Sequence, residues 1–315
     1  MSCLEYLEEV DDSMKASEEA VQDDLSENVG NNDFISQLIR IFLYVLGLII
    51  VFTAVYSQYL FPLFGIHLGL ILGLLLVYGV PIFAITLLWG TRIVRRWFKN
   101  SFYAIKVGLA LFGAFTVLGF ALAIVIGTIL IALYPPTLNL LQKPNPELNV
   151  SPYFAWILVG ISLLVVGPAE EYIFRGFVFG GLLDIFKNRH WLILALVSSL
   201  LFCAAHPYYA IVYGPASLVP FAELVTFGMA MAGMYYLSGG NLFAPALIHG
   251  AYDATGYVGV ATSTIVGDGL RAFMIVLGVI VAFVMYIQRG SRKDQNRINA
   301  PQETISPTRF SSSND

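Results

Sequence analysis

Charge is scarce in this chain: only 12% of its 315 residues are Asp, Glu, Lys or Arg, against roughly 25% in an ordinary soluble domain. The shortage is concentrated between Phe34 and Gln288, where long apolar runs are seldom interrupted. A soluble globular fold is excluded for most of that stretch, because its solvent must be lipid. Cysteine is also scarce. Cys3 stands in a polar tail and Cys203 in an apolar run, so no disulfide framework is expected. There is no basic excess, since the net charge is −4 and ten of the 17 basic residues fall in two segments, Arg92–Lys106 and Arg289–Arg309. Nucleic acid is therefore not an expected partner. The opening residues lack a basic region followed by an apolar one, and they lack the Arg-rich, acid-poor character of a transit peptide, so no cleaved signal is expected before the first span. The zinc helix His-Glu-x-x-His and the serine elbow Gly-x-Ser-x-Gly are absent. The last residues, Ser-Ser-Asn-Asp, carry no prenylation signal.

What is present is apolar: 57% of the residues are hydrophobic. A bilayer core about 30 Å thick needs roughly 20 apolar residues per helix, and eight runs approach that length. They are Ile41–Leu60, His67–Trp89, Val107–Tyr134, Pro152–Phe174, Trp191–Ala205, Leu218–Leu237, Leu242–Val258 and Leu270–Ile287. The expected fold is all-α, a polytopic membrane bundle of about eight helices. Residues 1–33 carry eleven acidic side chains and read as a disordered acidic tail. Residues 34–150 hold three spans and a basic loop, 151–258 a core with polar residues, 259–288 a last span, and 289–315 a polar tail. Lys and Arg concentrate before the first span, in the second and fourth loops and after the last span, which places both termini in the cytoplasm. Arg92–Ser101, basic with Trp97 and Phe98, reads as an interfacial anchor, and Pro207–Tyr213 as an interfacial loop. Gly228 and Gly233 offer close helix contact. The plasma membrane is the favoured location, and the bilayer itself is the first partner.

Ionisable groups inside a span are costly and mark function by default. Glu170, Glu171, Arg175, His206 and His249 lie in or beside the fourth, fifth and seventh spans, with Asp253 close behind. Glu171 and Arg175 are four apart, acid first, the favourable order for a helical ion pair. Glu170 is turned about 100° away, so it is left available for chemistry. His249 and Asp253 repeat the four-residue spacing. A poorly solvated carboxylate can serve as a general base near neutrality. Glu170 would then take a proton from water that His206 orients, while His249 and Asp253 face the developing oxyanion. Glu170, His206 and His249 also make a two-histidine, one-carboxylate zinc set, with Asp253 behind His249. Glu223, Asp184, His67 and His190 fall near span ends and read as interfacial or solvated. Counting rise from the expected helix ends puts Glu170 and His249 in one half of the bilayer and His206 toward the other. Those boundaries therefore need revision, either at the start of the fifth helix or by extension of the fourth through Gly176–Phe186.

Three stretches carry a family resemblance: Glu170-Glu171-Tyr172-Ile173-Phe174-Arg175, Phe202-Cys203-Ala204-Ala205-His206 and His249-Gly250-Ala251-Tyr252-Asp253. They fit Glu-Glu-x-x-x-Arg, Phe-x-x-x-His and His-x-x-x-Asn/Asp. In that order, inside apolar helices, they resemble the CAAX prenyl endopeptidase type 2 family, also called the CAAX protease and bacteriocin-processing (Abi) family of intramembrane peptidases. The resemblance covers about Ser151 to Val258. It implies an eight-helix bundle that cleaves peptide bonds of membrane-associated or lipidated proteins or peptides. It assigns water activation to Glu170 with His206, a structural pair to Glu171 and Arg175, and the oxyanion site to His249 with its partner. Asp253 stands where prenyl proteases often have Asn, and an ionised Asp cannot donate a hydrogen bond. A proton-coupled transporter and a non-catalytic membrane partner retaining the fold are the competing readings.

Overall fold

The computed structural model describes residues 73–89, 101–143, 150–186 and 189–299, together with the single positions 36, 40, 47, 69, 98 and 148; side chains are described only as far as 288. The tails Met1–Asp33 and Gln302–Asp315, His67, and the first expected span apart from Gly47 lie outside the described residues, as does Arg92–Ser101 apart from Phe98 and Ser101. Among the described residues every regular element is helical, and the protein is an all-α integral membrane bundle. We number α1 Val80–Trp89, preceded by the π-helical turn Leu75–Gly79; α2 Ser101–Leu133; α3 Thr137–Leu141; and α4 Pro152–Ile185. After these come α5 Trp191–Ala204, α6 Tyr208–Tyr213, α7 Leu218–Leu237, α8 Phe243–Ala261 and α9 Thr264–Asn299.

Among the described residues, four stretches are long and apolar enough to cross a membrane: Ser101–Leu133, Pro152–Ile185, Tyr208–Leu237 and Thr264–Gln288. Leu75–Leu87 and Trp191–Ala204 are apolar but shorter, and α8, expected as the seventh span, is not among the four. Its polar residues are the cause: α8 carries His249, Asp253 and Thr255 within 19 residues. Three boundaries also move outward, because polar residues at a helix end do not stop an intrahelical ladder. α2 begins at Ser101 rather than Val107, α9 at Thr264 rather than Leu270, and α9 continues as backbone helix to Asn299 into the expected tail. Pro207–Tyr213, read as a loop, is the short helix α6 after its proline, with Pro207 at the N-terminal position where a missing N–H costs nothing.

The largest revision falls on α4. Ser151 caps it by accepting from the Phe154 N–H at 3.3 Å, and Pro152 occupies the first turn. Pro168 lacks an N–H in mid-helix, and the π-helical turn Ser162–Val166 directly before Gly167 takes up the mismatch. A second π-helical segment, Tyr172–Phe179, follows Glu171. The helix then runs past Phe174 because Phe177, Val178 and Phe179 are buried, so stopping there would strand apolar surface. About 16 Å of extra helix moves Glu170 away from that end and toward the middle.

Small residues set how closely the helices approach. At Gly167 a Cβ would lie 2.6 Å from the Ala246 carbonyl oxygen, and at Gly250 one would lie 2.5 Å from that of Ser162, so α4 and α8 cross backbone to backbone. α2 and α9 do the same where a Gly113 Cβ would lie 2.5 Å from Val279 N. Gly228 meets Ser199 of α5 as expected, its Cβ falling 2.8 Å from the serine Cβ, whereas Gly233 meets only side-chain ends, with Leu111 nearest at 3.2 Å. The turn from α7 to α8 uses Gly239 and Gly240 at φ 68° and 87°. Their N–H groups bond back to the Tyr236 and Tyr235 carbonyls at 3.1 and 2.8 Å, the left-handed helix stop that glycine permits. Asn241 Oδ1 then accepts from Ala244 N at 2.9 Å and starts α8. The interior between these helices is aromatic and sulfur-rich, with Phe112, Phe177, Phe179, Phe202, Met231 and Met234 fully buried.

Candidate active site

The crossing of α4 on α8 carries Glu170 and Glu171 directly onto His249. Glu171 is wholly buried and its Oε1 accepts from His249 Nδ1 at 2.6 Å. The same oxygen lies 3.0 Å from Arg175 Nη1, an ion-pair distance without hydrogen-bond alignment. Arg175, also buried, donates through Nη2 to the Gly228 carbonyl at 3.3 Å and lies over the Phe202 ring at 4.8 Å. The expected Glu171–Arg175 pair is therefore present. Its carboxylate does a second task that the four-residue spacing did not reveal, because the histidine comes from another helix.

His249 Nε2 faces two further carboxylates, Glu170 Oε2 at 3.5 Å and Asp253 Oδ2 at 3.4 Å. Its partner at Nδ1 is thus Glu171, and Asp253 lies instead at the nitrogen that faces Glu170. An imidazole with one N–H can donate to one side only, so carboxylates at both nitrogens suit a ring that donates from each. Phe202 and Phe227 wall the ring, with centroids 5.9 and 4.9 Å from it. The Asp253 side chain is one-third exposed.

Glu170 is held from a helix outside the three motifs. The Tyr78 hydroxyl donates to Glu170 Oε1 at 2.7 Å. Sequence reasoning missed Tyr78. The available signal was a tyrosine inside an apolar span, whose hydroxyl must find a partner once buried.

His206 follows the end of α5 and turns Nδ1 toward the Phe202 carbonyl at 2.8 Å. Because α5 has 14 residues, about 21 Å of rise, it ends short of a full bilayer crossing, and Pro207 forbids its continuation. His206 and Glu170 consequently line one narrow pocket with Tyr78, Val77, Ile173, Phe174 and Ala205. The opposed depths inferred from the sequence are corrected by the long α4. The zinc set Glu170, His206 and His249 is not assembled as ligands. No group of three or more His, Cys, Asp or Glu that could hold a metal ion occurs among the described residues, so no step below is routed through a metal. Of the residues read as interfacial or solvated, His190 caps α5 at its start and Asp184 is exposed, but Glu223 lines an internal pocket with Thr116, Thr226 and Tyr252.

A family model described as type II CAAX prenyl endopeptidase Rce1-like matches residues 152–255. Over this segment the chain is similar to the Rce1-like family. The segment contains α4, α5 and α7 entire, and with them Glu170, Glu171, Arg175, His206, His249 and Asp253. Tyr78, which orients the Glu170 carboxylate, comes from outside it. No curated protein and no solved structure gave a significant match to the chain. The match covers about a third of the chain and supports a likeness to CAAX-type proteases over that stretch.

Proposed function

We propose that this protein is an intramembrane endopeptidase that hydrolyses a peptide bond of a membrane-associated or lipidated protein or peptide. The observation that carries the reading is the shared pocket of Glu170 and His206, with His249 held against Glu170 from a third helix. A substrate carbonyl entering the pocket meets a base, a second imidazole and a fixed donor. Water between Glu170 and His206 gives its proton to the Glu170 carboxylate while its oxygen attacks the carbonyl carbon. The oxyanion that forms is met by the Nε2–H of His249, whose ring Glu171 fixes through Nδ1. The C–N bond then breaks and the amine takes the proton back from Glu170. Asp253, a carboxylate 3.4 Å from Nε2, favours the protonated ring that supplies this N–H rather than contacting the oxyanion itself.

Purified protein in detergent, given a lipidated peptide, tests the reading. Glu170→Gln should lower turnover by a factor of about 10² to 10⁴ with the thermal unfolding transition retained, and full activity in Glu170→Gln would reject it. Elemental analysis of the active protein separates the metal question. Stoichiometric zinc, with activity lost to a chelator and restored by zinc, would overturn the metal-free route.

A further inference from the structure

A second, narrow pocket with room for about one water lies between α2, α7 and α8, lined by Thr116, Gly119, Phe120, Glu223, Thr226, Phe227 and Tyr252. It shares no lining residue with the pocket of Glu170 and His206. Threonines in apolar helices satisfy their hydroxyls on the carbonyl one turn back, as Thr86, Thr128 and Thr226 do at 2.7, 2.8 and 3.0 Å. Thr116 does not. Its Oγ1 is buried, at 9% exposure for the residue, lines this pocket and has no hydrogen-bond partner among the described residues. A buried hydroxyl without a partner is costly. Beside it stands Glu223, a carboxylate inside an apolar helix, close enough to Arg271 to interact electrostatically. Arg271 in turn stacks on Tyr252 at 4.9 Å and donates to Thr255 Oγ1 at 3.3 Å. The pocket's carboxylate is thereby balanced by a cation, which suits neutral polar occupants over ions.

The position of this pocket relative to His249 gives it a use. Phe227 lines it, and the Phe227 ring is 4.9 Å from that of His249. Tyr252 lines it too, tilted on Phe227 at 5.4 Å and adjacent in the chain to Asp253. One aromatic layer thus separates a polar pocket from the hydrolytic centre. Hydrolysis consumes one water for each C–N bond broken, and a site inside an apolar bundle has to be supplied with it. Apolar cavities stay dry, whereas polar ones hold a water that finds two to four polar partners.

Resting on the hydrolytic reading, we propose that the Thr116–Glu223 pocket is a hydrated chamber, a binding site for water that feeds the reaction from behind the Phe227–Tyr252 layer. Thr116 and Glu223 anchor the water before it passes to Glu170 and His206, whose pocket the substrate enters from its own side. Water and lipid-borne substrate then reach the same histidine by separate routes.

The experiment reads hydration directly and needs no turnover. In a chain with Cys3→Ser and Cys203→Ser, Thr116→Cys is reconstituted in vesicles and exposed to silver ion, which is small and attacks thiols from water. The remaining thiol is then counted with a fluorescent maleimide after denaturation. The introduced thiol should be blocked by silver, while that of Leu118→Cys, on the lipid-facing side of α2, should not. Phe120→Cys is the second reporter should Thr116→Cys fail to fold. Adding Glu223→Leu should slow the silver reaction by on the order of 10-fold and, in the otherwise native chain, lower kcat with KM unchanged. Thiols at 116 and 120 as unreactive as that at 118 would overturn the chamber, even in a protein shown to cleave peptides. Silver-reactive thiols in a protein without peptidase activity would instead keep the chamber and remove the hydrolytic reading.

Discussion

α4 and α9 are both long enough to cross a bilayer, yet they solve different problems. α9 presents Ile265, Phe273, Val276, Ile280 and Phe283 outward, at exposures from 53% to 83%, and meets its neighbour chiefly through the Gly113–Gly278 crossing on α2. Apart from that crossing and Arg271, which reaches Thr255 and Tyr252 of α8, its span needs lipid as solvent. α4 buries two carboxylates and a guanidinium and interrupts its α-helical ladder twice with π-helical turns, irregularities that occur often at functional sites. On the lipid face of α9 hydropathy alone decides, since any apolar side chain satisfies a lipid contact. α4 depends on particular partners from α1, α7 and α8, and exchanging residues there alters a network rather than a surface.

The sharpest test of that contrast is Glu171→Ala. The substitution removes the ion-pair partner of buried Arg175 and the acceptor of His249 together, so a stability loss of about 3 to 5 kcal/mol is expected, accompanied by lost activity. Chemical denaturation and turnover measured on the same preparation check it. Native stability in Glu171→Ala would show that α4 tolerates change as α9 does.

Gly250→Ala comes next. A methyl group there meets the α4 backbone at the Ser162 carbonyl, and forcing the helices apart should cost about 1 to 3 kcal/mol. Activity should fall further than stability does, because His249 withdraws from both glutamates. A thermal shift with unchanged turnover would break the link between the crossing and the site.

Tyr78→Phe deletes one hydroxyl and keeps the ring. A hydrogen bond given to a carboxylate, as Tyr78 gives to Glu170, is worth about 1.5 to 3 kcal/mol, so kcat should drop roughly 10-fold or more while KM changes little. Equal kcat in Tyr78→Phe and the native chain would show that the turn before α1 does not tune the base.

The smallest effect belongs to α9. Val276→Leu, on the lipid-facing side, should alter neither stability, within about 0.5 kcal/mol, nor turnover. A larger change would mean that this face contacts something other than lipid.

These contrasts follow what could be read before the fold was known. Apolar run length gave the all-α membrane class and placed Leu218–Leu237 to the residue, because lipid solvation acts on each residue independently. The three motifs identified Glu170, Glu171, Arg175, His206, His249 and Asp253, because charges in a span are too costly to be incidental, and the four-residue spacing sufficed for the Glu171–Arg175 pair. Which nitrogen of His249 meets which carboxylate was decided only by the tertiary structure, since that contact depends on how closely two glycines let α4 and α8 approach. The same holds for Tyr78 on Glu170, 92 residues away in the chain, and for the shared pocket of Glu170 and His206, which requires α4 to run long and α5 to stop short. Solvation and local spacing act along the chain and are legible there, whereas the partners of a buried charge are fixed by helix crossings, which no single segment encodes.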